Sequence, residues 1–289
     1  MSDSTPGSPD GARDVVVVTG AGGMGAAVAR RLGSGRTLII GDASRARLDE
    51  AVEALRAEGH VAHGVLTDVS DRGSVEQLAE AASSAGGRVT AIVHTAGVSA
   101  ATASARQIID VDLIGTAHII DVFETVATRG TALVCIASMA GHAAQLTRED
   151  EAALATTPTQ ELRELPAVVA VEDDPMSAYL LAKRANQVRV QAAALAWNLR
   201  GARVNTVSPG VISTPMAKQE AESQSGEHML KMLDACGIGR TGTPAEIAEA
   251  AAFLTSPAAL YITGTDLLVD GGQAGWLRWH MPHHDVGAH

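Results

Sequence analysis

The run Asp14-Val-Val-Val-Val-Thr19-Gly20-Ala-Gly22-Gly23-Met24-Gly25 decides the fold. Four consecutive valines suit a parallel strand buried on both faces, because such strands read as unbroken apolar runs. The chain then turns through glycines into 26–32, an Ala/Val/Arg segment of helical character. This is G-x-G-x-x-G in its required setting of strand, tight turn and helix. Gly20 allows the turn, Gly22 lets the backbone approach a pyrophosphate, and Gly25 lets helix and strand pack closely. Gly23 and Met24 belong to the same turn, and the helix N-terminus after it supplies free N–H groups and a positive dipole end for the phosphates. The plainer alternative, a glycine-rich loop without a ligand, leaves that setting unexplained.

Working outward, Thr37 to Gly41 reads as a second strand that ends at Asp42. An acid there accepts hydrogen bonds from the ribose hydroxyls of NAD and repels the extra phosphate of NADP. The glycine turn carries no Lys or Arg, and Arg45 and Arg47 fall where the next helix starts and are expected to face solvent. NAD is therefore the expected cofactor. Helical stretches at 44–59, 74–85 and 108–128 alternate with strands at 61–66, 89–94 and 132–137. That alternation predicts the α/β class, a doubly wound parallel sheet with helices on both faces. Ligands in such sheets bind beyond the carboxyl ends of the strands, and Asp42, Asp68, Ala96, Gly97 and Ser138 all fall there.

Composition narrows the function classes. The chain has 289 residues, 46% apolar and 19% charged, which fits a soluble globular protein. Aromatic residues make up only 2%, so the core rests on Ala, Val, Leu and Ile. A net charge of −11 argues against non-specific binding to nucleic acid or an anionic membrane. Cys135 and Cys236 lack disulfide or metal-ligand spacing, and no metal site is expected. Residues 1–13 are Ser/Pro/Gly/Asp-rich, with neither a signal-peptide core nor a membrane span, and read as a disordered tail. A cytoplasmic location is the expectation.

Tyr179-Leu-Leu-Ala-Lys183 supplies the chemistry. Residues four apart share a helix face, about 6 Å apart along the axis. A nearby ammonium lowers the pKa of a phenol, which suits it to moving a proton to or from an alcohol oxygen. Alone, such a pair is often a surface coincidence. In its order with the preceding motifs the chain resembles the short-chain dehydrogenase/reductase family, from about Val15 to Gly272. The resemblance implies one Rossmann-type domain over 14–272 with about seven parallel strands. Ser138, in Ile-Ala-Ser-Met-Ala-Gly, matches the family's catalytic serine, and Asp68-Val69 matches its adenine-contact motif. Val204-Asn-Thr-Val-Ser-Pro209-Gly210-Val211-Ile-Ser-Thr214 resembles the strand and loop beside the nicotinamide, with Thr214 at the carboxamide. Gly239-Arg240, Pro244-Ala-Glu-Ile, Phe253-Leu254 and Val269-Asp270-Gly271-Gly272 complete the pattern.

By that resemblance Tyr179 transfers the proton, Lys183 lowers its pKa and binds the nicotinamide ribose, and Ser138 hydrogen-bonds the substrate oxygen. A homotetramer is implied, with a dimer open, built on the helices at 108–128 and 178–200 and the last strand. Four departures stand out. The glycine turn is one residue shorter than usual. His94-Thr95-Ala96-Gly97 replaces Asn-Asn-Ala-Gly. Asp112 stands where a helix asparagine commonly completes the catalytic set, and Asp lacks the amide donor of Asn. Ser138 and Tyr179 are much farther apart than usual, which implies an insertion over 143–175.

The insertion is acidic, with Thr147 and Thr157-Pro158 as credible starts of two short helices. It reads equally as a lid on the substrate pocket or as a solvated decoration. Met216, Met229, Met232 and Leu233 give the segment 216–237 an adaptable apolar side. A mainly apolar alcohol or ketone is expected as substrate. His142 is within reach of it, although a lone histidine is more often structural. The tail 273–289 holds Trp276, Trp279, His280, His283 and His284, and reads as interface-docking or loose. Two other classes stay open: an isomerase or lyase with structural NAD, and a nucleotide-sensing protein without catalysis.

Overall fold

The four valines at the start divide between two cores. In the computed structural model, which describes residues 13–214 and 232–280, β1 (Val15–Thr19) is fully buried. Side chains alternate across a strand, so Val16 and Val18 enter one core while Val15 and Val17 enter the other. The first core is shared with α1 (Gly23–Leu32) and α2 (Arg45–Ala57) through Val28, Leu32 and Leu48. The second is shared with α3 (Arg72–Ser83) and, farther along the chain, Phe123 and Trp197. Two-sided burial is what the unbroken valine run requires.

β1 lies between β2 (Thr37–Asp42) and β4 (Val89–His94), and β3 (Val61–Leu66) flanks β2. β5 (Ala132–Ile136), β6 (Arg203–Pro209) and β7 (Asp266–Val269) continue the other half. The order is β3-β2-β1-β4-β5-β6-β7, with every pair parallel. Strand order reverses between β1 and β4, so the loops after Thr19 and His94 diverge there and open a crevice.

The helix expected over 108–128 is divided. A capping box at Ser104 and Gln107 starts α4 (Ala105–Ile108), a wide π-helix covers Ile109–Gly115, and α5 (Thr116–Val126) follows. Such bulges re-aim side chains and often mark functional positions. The insertion forms α6 (Arg148–Thr156), a 3-10 turn (Thr159–Glu164) and α7 (Pro166–Val169). Thr147 caps α6 as expected. Asp174 and Pro175 then start the 25-residue helix α8 (Pro175–Leu199), the carboxylate accepting from the N–H groups of Met176 and Ser177. α9 (Pro244–Thr255) and α10 (Gln273–Trp279) follow later in the chain, so the segment read as a tail begins as a helix. No described helix is long and apolar enough to cross a membrane.

Candidate active site

The glycine turn is built for close approach. Gly20 has φ of +85°, and a Cβ there would lie 2.8 Å from the Ala96 nitrogen across the crevice. A Cβ on Gly25 would stand 1.7 Å from the Gly20 carbonyl oxygen, so any larger residue would push α1 off the strand. Thr95 Oγ1 donates to the carbonyls of Thr19 and Gly20 and pins the turn. α1 has no side-chain N-cap and no acid in its first turn, whereas Ser44, Asp71, Thr147, Asp174 and Thr243 cap α2, α3, α6, α8 and α9. Its leading N–H groups are thus left to an anion, which fits the pyrophosphate of a dinucleotide. Thr214 reaches over this turn, its Cγ2 3.2 Å from where a Gly23 Cβ would be.

Asp42 is buried to 6% exposure at the end of β2. Its oxygens accept from the backbone N–H of Ala21 and Ser44, both at 2.8 Å. Arg47 is exposed, as its position suggested, but its side chain also turns back to Asp42. Its Nε and Nη2 reach Asp42 at 3.1 Å, and its Cδ lies 3.7 Å from the Cβ position of Gly22. Ser44 caps α2 and turns the first-turn residue Arg47 back over the strand end. Asp68 is exposed and holds Ser70, while buried Val69 packs onto Gly115, where a Cβ would be 2.7 Å from Val69 Cγ2.

Across the crevice, the π-helix turns Asp112 inward to full burial. Its Oδ1 accepts from Val98 N–H at 2.9 Å, and Oδ2 lies 3.1 Å from Lys183 Nζ. The Asp112 carbonyl accepts from Thr116 Oγ1 and from Asn186 Nδ2. Gly97 lines the same spot: a Cβ there would be 3.1 Å from Asp112 Oδ1 and 3.4 Å from Lys183 Nζ. Lys183 is 6% exposed, so it is no solvated surface charge. Its Nζ stands 5.3 Å from the centre of the Tyr179 ring, one helical turn away. Burial draws the ammonium pKa down, but Asp112 and then Tyr179 more than offset this and leave it raised. Burial raises the Asp112 carboxyl, opposed by Lys183. Two neutral groups sit behind the pair. Burial holds His94, bonded to Thr19 and Thr116, down at about 3, and pushes the Cys135 thiol up.

Ser138 follows β5 in extended conformation, its Oγ accepting from Ala140 N–H. Gln187 donates to the Ser138 carbonyl and to Ser208 Oγ, tying that loop to α8 and β6. Asp266 accepts from Ser208 and Thr206, and His142 Nε2 lies 2.8 Å from its other oxygen. His142 is therefore held to β7. After Pro209, the Gly210 N–H donates to Val269 O, and Gln273 of α10 accepts from Val211 N–H. Asn186, Gln187 and Gln273 were not singled out from the sequence. The first two follow Lys183 by three and four residues, which was the available signal.

The insertion is no solvated decoration. Leu154, Leu162 and Val168 are fully buried against Ile109, Leu113, Ala178 and Ala185. Arg189 of α8 donates to the carbonyls of Leu154 and Thr157, Arg184 bonds Glu151, and Arg163 pairs with Asp110. The insertion thus backs the π-helix and the first half of α8, the two elements that carry Asp112, Tyr179 and Lys183. Of the apolar side expected for 216–237, Met232 and Leu233 are buried, while Met216 and Met229 lie outside the described residues, as do His283 and His284.

The sheet order and glycine turn define a Rossmann-type fold. The family described as short chain dehydrogenase matches residues 14–148, and that described as enoyl-(acyl carrier protein) reductase matches 165–274. The short-chain dehydrogenase/reductase bsc3 of Alternaria brassicicola is 37% identical over 92% of this chain and 97% of its own length. The cis-4-hydroxycyclohexanecarboxylate dehydrogenase of Sinomonas cyclohexanicum is 32% identical over 90% and 96%. The crystal structure of gox2181 superposes with a TM-score of 0.72 at 26% identity, over 92% of this chain and 97% of that one. The chain belongs to the short-chain dehydrogenase/reductase family of oxidoreductases.

Proposed function

We propose that this chain is an NAD(H)-dependent oxidoreductase that interconverts a secondary alcohol and a ketone on a mainly apolar small molecule. The observation that carries the reading is a buried ammonium, Lys183 Nζ, 5.3 Å from the Tyr179 ring at the mouth of a nucleotide cradle. The bound nicotinamide supplies or accepts the hydride. The uncapped start of α1, with Gly20, Gly22, Gly23, Met24 and Gly25, holds the pyrophosphate. Asp42 takes the adenosine ribose, Asp68 and Val69 flank the adenine, and Ala96 and Gly97 line the crevice floor. Pro209, Gly210, Val211 and Thr214 face the nicotinamide end.

Tyr179 gives its proton to the carbonyl oxygen in reduction and takes one from the alcohol in oxidation. Ser138 Oγ donates to the same oxygen as charge develops on it. Lys183 orients the nicotinamide ribose and stands beside the phenol ring. The dehydrogenase named for a ring-borne hydroxyl in Sinomonas cyclohexanicum supports a secondary alcohol as the substrate class. Buried Met232 and Leu233 at the edge of the 216–237 segment support an apolar pocket wall. A screen of secondary alcohols and ketones with NAD(H), followed by nicotinamide absorbance, is expected to give stoichiometric turnover with apolar members. Turnover confined to elimination or isomerisation, with no change in nicotinamide redox state, would overturn the reading.

A further inference from the structure

Asp112 introduces a charge where the mechanism needs none. Its carboxylate is fully buried, accepts one backbone N–H from Val98, and faces Lys183 Nζ at 3.1 Å. Oδ2 has no other partner among the described residues. The Asp112 carbonyl is engaged by Thr116 and Asn186, so it is the side chain that meets Lys183. Two opposite charges so close, both out of water, act on their surroundings as a nearly neutral unit. The centre of the Tyr179 ring stands 5.3 Å from the same ammonium.

From this geometry we infer that Asp112 sets the working pH of the site: its carboxylate cancels the pull of Lys183, so that Tyr179 stays a neutral phenol near neutral pH and serves as the acid that protonates a carbonyl oxygen. The inference rests on the proposed oxidoreductase reading and assigns the direction that neutral pH favours kinetically. In reduction, with hydride supplied to the carbonyl carbon by a bound reduced nicotinamide, Tyr179 would give its phenol proton to the oxygen and regain one from water. Alcohol oxidation needs the phenolate, so its rate climbs toward alkaline pH.

The sign follows from the neighbours. A carboxylate near a phenol opposes phenolate formation, and an ammonium favours it. Besides Asp112 and Tyr179, Lys183 is electrostatically coupled to His94 on β4 and Cys135 on β5 among the described residues. His94 is held neutral down to about 3 and the Cys135 thiol is pushed up, so neither is charged near neutral pH. Arg184 is turned to Glu151, Arg163 to Asp110, and His142 to Asp266. Removing the carboxylate therefore leaves the ammonium unopposed and lowers the pH at which Tyr179 ionises.

The chain permits a direct measurement, because it has only two tyrosines. Tyr261 is fully exposed, so Tyr261→Phe leaves Tyr179 as the sole source of phenolate absorbance. Titration of that background needs neither cofactor nor substrate, so its result is separate from the success of the substrate screen. Asp112→Asn keeps the shape and the acceptor for Val98, and is expected to lower the Tyr179 midpoint by about one pH unit or more. In carbonyl reduction, its pH–rate profile should fall off at correspondingly lower pH. A midpoint unchanged or raised in Asp112→Asn overturns the inference. Should that variant fail to fold, as judged by circular dichroism, Asp112→Asn with Lys183→Gln removes both charges together and leaves no unpaired buried ion. Its midpoint should stay within about one unit of the parent, because the lost charges cancel. A larger rise would mean that Lys183 acted unopposed and would equally overturn the inference.

Discussion

Arg47 and Asp42 form an ion pair over the glycine turn, with Arg47 Nη2 3.1 Å from Asp42 Oδ1. The Asp42 side chain is buried and that of Arg47 more than half exposed. Asp42 also accepts from two backbone N–H groups, which fixes it in place. The pair bears on cofactor choice in two opposing ways. Asp42 repels the extra phosphate of NADP, while Arg47 is a cation that would attract it. Because Arg47 is bound to Asp42, binding a phosphate would require breaking that contact.

NAD(H) is therefore expected to bind more tightly than NADP(H), by a margin that the pair itself limits. Asp42→Ala releases Arg47 and should shift the preference toward NADP(H). Arg47→Ala should widen the margin for NAD(H). Fluorescence or calorimetric titration with both cofactors checks this, and tighter NADP(H) binding by the unmodified chain would refute it.

The Tyr179 ring and the buried Lys183 make a separate prediction. Tyr179→Phe removes only the ionisable oxygen, so folding and cofactor affinity should survive. Proton transfer by a positioned side chain is worth about 10²–10⁴-fold, and turnover should drop by at least the lower figure. Ser138→Ala should lose a comparable factor, of order 10²–10³, through one donor to the developing oxyanion. The measurement is kcat with cofactor affinity in parallel. Near-normal redox turnover in Tyr179→Phe would move the proton to another group.

Much of this was legible from residue order. The valine run, the glycine spacing and the strand–helix alternation depend on local periodicity, and each fell close to its expected place. The wide turn at Ile109–Gly115 was not legible, because nothing in Ile-Asp-Val-Asp-Leu-Ile-Gly differs from an ordinary helix. It is the packing of Val69 on Gly115 and of Asp112 on Lys183 that accompanies it. The turning of Arg47 was missed for a similar reason. Sequence placed it at a helix start, and only the Ser44 cap and the buried carboxylate bring it back over the strand. The insertion resisted reading because its apolar residues Leu154, Leu162 and Val168 are thinly spaced among acids.

Those three side chains make the insertion testable. Leu162, on the 3-10 turn, is fully buried in one cluster with Ile109, Leu113 and Ala178. Leu162→Ala should destabilise the fold by about 2–5 kcal/mol, the range for truncating a buried leucine. Thermal unfolding should show a clearly lowered Tm. An unchanged Tm would mean that the segment is only laid on the surface, despite the anchoring of Arg189 to Leu154 and Thr157.

The same packing bears on assembly. The insertion covers the first half of α8, where Ala178, Ala182 and Ala185 are buried. One face of the second half is exposed: Leu195 is 71% and Leu199 82% exposed, on one stripe with Ala192 and Ala196, while Val190 and Trp197 on the other face are buried. Large apolar side chains aligned on one exposed face are typical of interaction surfaces. β7 is also an edge strand with Leu268 outward, so two faces are open to other copies of the chain. A homotetramer is expected, with its helical contacts confined to the second half of α8. Leu195→Asp together with Leu199→Asp should split it into smaller species, without loss of fold, because neither side chain supports the monomer core. Light scattering decides the matter. A mass of 29.6 kDa for the unmodified chain at micromolar concentration would rule the assembly out, and an unchanged oligomer in the double variant would move its interface away from this helix.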